Sequence, residues 1–200
     1  MRVLAVSDTH IPERATRIPR ELEEFVSRRG YDVVVHAGDL VEEGVLDFLR
    51  SLGREVYAVR GNMDYLRLPR YARFEVGGVA FGVFHGDGIY PRGSIPLLSK
   101  VAVKLGVGVL ISGHTHAPFV AYDKVGVVHV NPGSLTGVWG GGGGSGVPSL
   151  AEIALLEGGR VLVELYELEG GRVVRRGSWE YVPRGPSQPP GLANPPRGGF

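Results

Sequence analysis

Cysteine does not occur in this chain. That absence excludes disulfides, thiolate zinc sites and cysteine nucleophiles together, so any metal must be held by His, Asp, Asn or Glu. Charge of one sign is also lacking, since 22 Lys and Arg face 21 Asp and Glu. With no basic excess there is no track for a polyphosphate backbone, and nucleic acid is not an expected partner. Long apolar runs are missing too. No stretch approaches the roughly 20 apolar residues that span a bilayer, and the opening MRVLAVSDTH has one basic residue, Arg2, and then only a short apolar run before a polar cluster, unlike an export signal. A cytoplasmic protein without a membrane partner is expected. Lysine is scarce, with only Lys100, Lys104 and Lys124; heat adaptation and GC-rich coding would both produce such a composition.

What is present suffices for one sizeable core and is short for two: 200 residues, 43% of them hydrophobic. One domain over residues 1–182 is expected. Residues 183–200 are dominated by Pro, Gly and Arg and read as a disordered tail. Residues 140–146 are glycine apart from Ser145, and read as a permissive surface loop rather than a lid.

Short apolar runs rich in β-branched residues occupy 2–7, 32–36, 55–59, 79–85 and 107–112, each stopped by a polar or glycine-rich cluster. They predict buried strands, with helices over 19–29, 42–52 and 95–105 between them. After about Gly106 the pattern changes. Strands are predicted over 119–122, 125–130, 150–156, 161–168 and 172–176, joined by turns such as Glu157-Gly158-Gly159 and Glu169-Gly170-Gly171. A doubly wound sheet does not end that way, whereas two sheets packed face to face and flanked by helices do. An apolar sheet face left uncovered would pair copies of the chain, so a homo-oligomer stays open.

The apolar runs of the first half all stop at residues of metal-ligand type: Asp8 and His10, Asp39, Asn62, His85, then His114 and His116. In sheets with parallel strands the carboxyl ends converge on one edge, which is where ligands bind. An i, i+2 pair leaving a strand, as in Asp8-Thr9-His10 and His114-Thr115-His116, can aim both side chains at one ion. Gly38, Gly61 and Gly113 precede ligands and relieve crowding there. Carboxylate, amide oxygen and imidazole suit manganese, iron, cobalt, nickel or zinc. Taken singly, Asp8 and Asp39 read equally well as turn or cap residues; as an ordered set the seven point to a metal site.

Read in order, Asp8-x-His10, Gly38-Asp39, Gly61-Asn62, His85 and Gly113-His114-x-His116 resemble the calcineurin-like metallophosphoesterase superfamily. The small size, the segment Gly61-Asn62-Met63-Asp64 and the stretch Asn131-Pro132-Gly133-Ser134 are most similar to its compact YfcE and archaeal phosphodiesterase branch, the branch nearest the retromer subunit Vps29. The resemblance implies a four-layer α/β/β/α sandwich of two mixed sheets flanked by helices. It implies two divalent ions, manganese foremost, with Asp8, His10 and His116 on the first, Asn62, His85 and His114 on the second and Asp39 bridging. It implies hydrolysis of a small phosphodiester by in-line attack of a hydroxide held between the ions. The alternative it carries is a Vps29-like interaction scaffold that binds metal without turnover.

One position departs from the pattern. Many phosphatases of this superfamily have His directly after Gly-Asn, where it can protonate the leaving group; here Met63 stands. Asp64 is the nearest stand-in acid, and would need a raised pKa. His36 and His129 interrupt apolar strands and read as packed or hydrogen-bonded histidines outside the ligand set.

Overall fold

The computed structural model describes residues 1–185; the expected tail lies outside the described residues beyond Gly185. In chain order the elements are β1 (Arg2–Val6), α1 (Arg20–Ser27), β2 (Tyr31–His36), α2 (Glu43–Leu52), β3 (Gly53–Ala58), β4 (Tyr71–Val76), β5 (Val79–Phe84), α3 (Ile95–Leu105), β6 (Val109–Ser112), β7 (Phe119–Tyr122), β8 (Val128–Asn131), β9 (Ser149–Leu155), β10 (Val161–Glu169) and β11 (Arg172–Tyr181).

Strand β1 explains how the layers form. Val3 and Ala5 join one apolar cluster and Leu4 and Val6 another, as the two-residue period of a strand dictates. Covered on both faces, such a strand must be a continuous apolar run. One sheet has the order β11-β10-β9-β1-β2-β3, the other β4-β5-β6-β8-β7. The neighbours β1, β2 and β3 are parallel, as are β5, β6 and β8, and antiparallel strands complete each sheet. Between the sheets lie Val3, Val35, Phe81, Val83, Val109, Ile111 and Val130. Outside the first sheet, α1 and α2 bury Leu22, Val26, Val45 and Leu49 against Leu4 and Val34. Outside the second, α3 buries Leu98 and Ala102 against Phe84 and Leu110. The result is the four-layer α/β/β/α sandwich. Each fully buried Val, Leu or Phe contributes about 1.5–3 kcal/mol, so the three apolar layers supply most of the driving force.

Local signals set the boundaries. Helix α3 starts with Pro96 in its first turn and stops at Gly106, which is left-handed at φ 66° and donates back to the last turn. Two strand expectations need correction. Residues 71–76 form β4, unforeseen because it is an edge strand whose Arg73 and Glu75 face solvent while Phe74 and Val76 are buried, with Gly77-Gly78 turning it into β5. Strand β11 runs five residues beyond the predicted end at 176, pairing with β10 across a shift at Leu165/Tyr166.

Candidate metal centre

Five of the six strands that run parallel to a neighbour, β1, β2, β3, β5 and β6, end in a loop that carries a predicted ligand. The loops are laced within each sheet and once between them: the Asp8 N–H donates to the Gly38 carbonyl (3.0 Å), His10 N–H to Asp39 (3.0 Å) and Gly113 N–H to His85 (3.0 Å), while Leu135 N–H donates to Ser7 (2.9 Å) across the two sheets. That lacing holds an unusual backbone. Among the described residues six non-glycines have positive φ, and five are predicted ligands: Asp8 (53°), His10 (49°), Asp39 (59°), His114 (69°) and His116 (56°). A left-handed residue costs about 1–2 kcal/mol, so strain of this kind is concentrated where seven side chains converge.

The side chains meet in two groups joined through Asp39. In the first, His116 Nε2 lies 3.2 Å from Asp8 Oδ1 and 3.2 Å from His10 Nε2. The ligand atoms of Asp8, His10, Asp39 and His116 all fall within 4.8 Å of one another, and all four residues are buried. In the second, His85 Nε2 lies 3.2 Å from Asn62 Oδ1 and 3.2 Å from His114 Nδ1. Asp39 Oδ2 is 3.4 Å from His10 Nε2 and 3.3 Å from His85 Nε2. One carboxylate oxygen thus faces both groups.

Outer contacts decide which atoms point inward. A carbonyl can only accept, so the bonds from His85 Nδ1 to Ala37 (2.8 Å) and from His116 Nδ1 to Val138 (2.7 Å) put the proton on Nδ1. Each Nε2 then faces the cluster and offers its lone pair there once the ring is neutral. Asp39 Oδ1 accepts from the Met63 N–H at 2.8 Å, leaving Oδ2 for the interior. Asp8 accepts from the His114 N–H (3.0 Å), and the Ser134 hydroxyl donates to the Asp8 carbonyl (2.7 Å). Gly61 and Gly113 have no Cβ for a reason of space: one at Gly61 would collide with the Asp39 carboxylate, and one at Gly113 with Ser7 Oγ and Asp8 Oδ2.

Electrostatics favour ionised carboxylates beside neutral imidazoles. Burial would raise Asp39, but the His85 hydrogen bond and charge, the Met63 N–H and His10 hold it down at about 2. Asp8 is likewise below its ordinary value, with burial outweighed by His116 and His85. Burial pushes His10 down and, with the His85 and Arg92 charges, His114 to about 4. His85 is the exception: burial opposes its charge, yet the Asp39 bond and the Asp8 and Asp39 charges lift it to about 9. A focus of buried carboxylates and imidazoles, joined by the exposed Asn62 amide and the half-buried His114, is a donor set that fits borderline divalent ions.

All seven predicted site residues meet here. His36 does not point in: its Nδ1 accepts from the Gly38 N–H (3.2 Å) and its Nε2 lies 2.6 Å from Thr9 Oγ1. His129 sits beside Asp123 and Ser99, in a separate cluster. Three positioning groups escape the ligand pattern. Asp64 is no spare acid, because both of its oxygens accept backbone bonds, Oδ2 from Asp39 and Gly61 (2.8 Å each) and Oδ1 from Val41 (2.7 Å). Asn131 uses its whole amide, donating to the Gly113 carbonyl (2.9 Å) and Thr115 Oγ1 (3.1 Å) and accepting from Gly133 (2.9 Å). Arg92 donates to the His114 and Gly140 carbonyls. The motif Asn-Pro-Gly-Ser was the available signal for Asn131; nothing in the sequence singled out Arg92. The glycine run lies on the surface as expected, with residues 141–143, 145 and 146 exposed, while Gly140 and Gly144 pack on His116.

The family model for the calcineurin-like phosphoesterase superfamily domain matches residues 1–150. A probable metallophosphoesterase of Methanocaldococcus jannaschii is 43% identical over 136 residues, 68% of this chain and 69% of that protein. Another from Methanothermobacter thermautotrophicus is 41% identical over 139 residues, 68% of this chain and 78% of that protein. Among solved structures, wild-type Vps29 of Entamoeba histolytica in complex with zinc superposes with a TM-score of 0.81 at 28% identity, covering 90% of this chain and 99% of that one.

Proposed function

The chain belongs to the calcineurin-like phosphoesterase superfamily, and from that membership we propose that it is a two-metal-dependent phosphodiesterase. The observation that carries this reading is Asp39 Oδ2, facing His10 Nε2 at 3.4 Å and His85 Nε2 at 3.3 Å. In this reading Asp8, His10 and His116 hold one divalent ion, Asn62, His85 and His114 the other, and Asp39 bridges them. When bound, such a pair supplies Lewis-acid charge and an activated water. Manganese is the expected metal, with zinc, nickel, cobalt or iron able to use the same donors; the zinc complex of the Vps29 relative supports divalent binding on this fold.

The protein's own residues set the substrate. The Met63 thioether has no proton to give, and both Asp64 oxygens are engaged as acceptors, so the leaving group departs without a side-chain acid beside Asn62. Diesters with good leaving groups are the consistent class, and a small phosphodiester rather than nucleic acid is the partner. No helix among the described residues is long and apolar enough to cross a membrane. The likeness to Vps29 favours one further reading, an interaction scaffold that binds metal without turnover.

The test is hydrolysis of bis-p-nitrophenyl phosphate by chelator-stripped protein with manganese, nickel, zinc or magnesium restored separately. Turnover that returns with metal and is lost in Asp39→Ala supports the enzyme. No turnover with any ion, despite two bound per chain, moves the assignment to the scaffold.

A further inference from the structure

The segment Val138-Trp139-Gly140, which leads into the glycine run beside His116, is held far more firmly than the composition around it suggests. Three successive carbonyls in it are bonded to three different parts of the centre: Val138 accepts from His116 Nδ1 (2.7 Å), Trp139 from Arg14 Nη1 (2.9 Å) and Gly140 from Arg92 Nη1 (2.7 Å). Gly140 lies on the His116 imidazole so closely that a Cβ would collide with the ring. Ser145 closes the turn, its N–H donating to the His116 carbonyl at 3.2 Å. Fixing each such residue costs roughly 1–2 kcal/mol of chain entropy, and the bonds to Arg14, Arg92 and His116 are what offset it.

The side chain at the middle of this anchored segment is nevertheless left in water. Trp139 is 71% exposed, and the only more exposed large apolar side chains among the described residues are Tyr90 at 86% and Tyr65 at 80%. All three are aromatic; Tyr65 and Tyr90 sit on ligand-bearing loops, and Trp139 sits on the β8–β9 loop that packs on His116. Tyr65 follows Asp64, Tyr90 lies between His85 and Arg92, and Trp139 lies between two residues that touch His116. An exposed aromatic on a pre-ordered backbone is suited to recognition, since binding then orders little further chain.

We infer that Trp139 is a specificity-determining residue, whose indole stacks on a planar aromatic group, a nucleobase or an aryl ring, carried by a phosphodiester with its phosphate at the ligand cluster. The reaction in this inference rests on the phosphodiesterase reading; the binding statement holds without turnover.

The kinetic arm compares phenyl p-nitrophenyl phosphate with methyl p-nitrophenyl phosphate, which share a leaving group and differ in the retained arm. Trp139→Ala should lower the phenyl-to-methyl ratio of kcat/KM by about tenfold, the scale of one stacked ring, and Trp139→Phe should keep most of it. The binding arm titrates manganese-loaded protein with adenosine 5′-monophosphate and with ribose 5-phosphate. Wild type should bind the nucleotide about tenfold more tightly, and Trp139→Ala should level the two. A drop confined to one arm assigns the ring as aryl or nucleobase. Both preferences unchanged in Trp139→Ala would overturn the inference. Failure of wild type to hydrolyse either diester would sink the phosphodiesterase reading, while the titration still decides Trp139.

Discussion

Two clusters in this protein pair a buried histidine with a carboxylate, and they differ in almost everything else. The cluster of Asp8, His10, Asp39, Asn62, His85, His114 and His116 draws on five loops, places five ligands in left-handed backbone and turns imidazole nitrogens towards one another. The cluster of Ser99, Asp123 and His129 draws on α3, the β7–β8 turn and β8, with no left-handed backbone among its members. There Asp123 Oδ1 accepts from Val125 (3.0 Å) and Val127 (2.8 Å), and Oδ2 from Ser99 and from His129 Nε2 (2.9 Å). Its residue types match a hydrolytic triad, but the geometry does not. A triad carboxylate bonds Nδ1 and frees Nε2 for the serine, whereas here both partners crowd Nε2, and Nδ1 has none among the described residues. Residue types alone therefore do not separate a reactive centre from a fastening; convergence of many loops and backbone strain do.

The largest test of that contrast falls on a residue that touches no proposed ion. If Asp64 sets the position of Asp39 through the three N–H groups it accepts, Asp64→Ala should lower manganese affinity and diester turnover together by about 10–100-fold, as loss of supporting contacts at metal sites does. Calorimetric manganese titration beside initial rates measures both. Unchanged metal affinity would show that Asp39 holds its place unaided.

Much of this centre was legible in the sequence because its ligands follow strands, and strand ends share one edge. The seven ligand types, the three helices and the switch to consecutive strands after Gly106 all follow from apolar period and punctuation. What escaped has a common cause, dependence on the partner across space. Edge strand β4 hides because half of it faces water. Asp64 and Arg92 act through backbone groups far away in sequence, which no side-chain pattern encodes. Within the run at 140–146, His116 occupies the space that side chains at Gly140 and Gly144 would need, which composition does not reveal, whereas Gly142, Gly143 and Gly146 are open.

A smaller effect concerns His36, which lies between the two kinds of cluster in character: fully buried near the centre, yet bonded only to Thr9 and Gly38. Burial pushes it down to about 4, against about 6.5 in an unfolded chain. Between those values the unfolded chain holds more protons, so stability is full above about pH 6.5 and falls as pH drops towards 4, by about 3 kcal/mol at most. His36→Gln, neutral throughout, should flatten that part of the acid slope in urea unfolding of the metal-free protein at pH 7, 5.5 and 4.5. His10, His114 and His129 are pushed the same way, so a residual slope is expected. An identical slope in both proteins would mean that His36 does not carry this share.

The smallest effect should come from the second cluster, and its smallness is the point. Asp123→Ala removes the acceptor for the Val125 and Val127 N–H groups, Ser99 and His129, which should cost about 1–3 kcal/mol of stability through unsatisfied polar groups. Because Asp123 belongs to the turn between β7 and β8, and β8 is the neighbour of β6 away from β5, the ligand loops keep their lacing and metal affinity should stay within about twofold of wild type. Urea unfolding reads the first quantity and manganese titration the second. A loss of metal affinity comparable to that of Asp64→Ala would join the two clusters into one functional unit and erase the distinction drawn from their geometry.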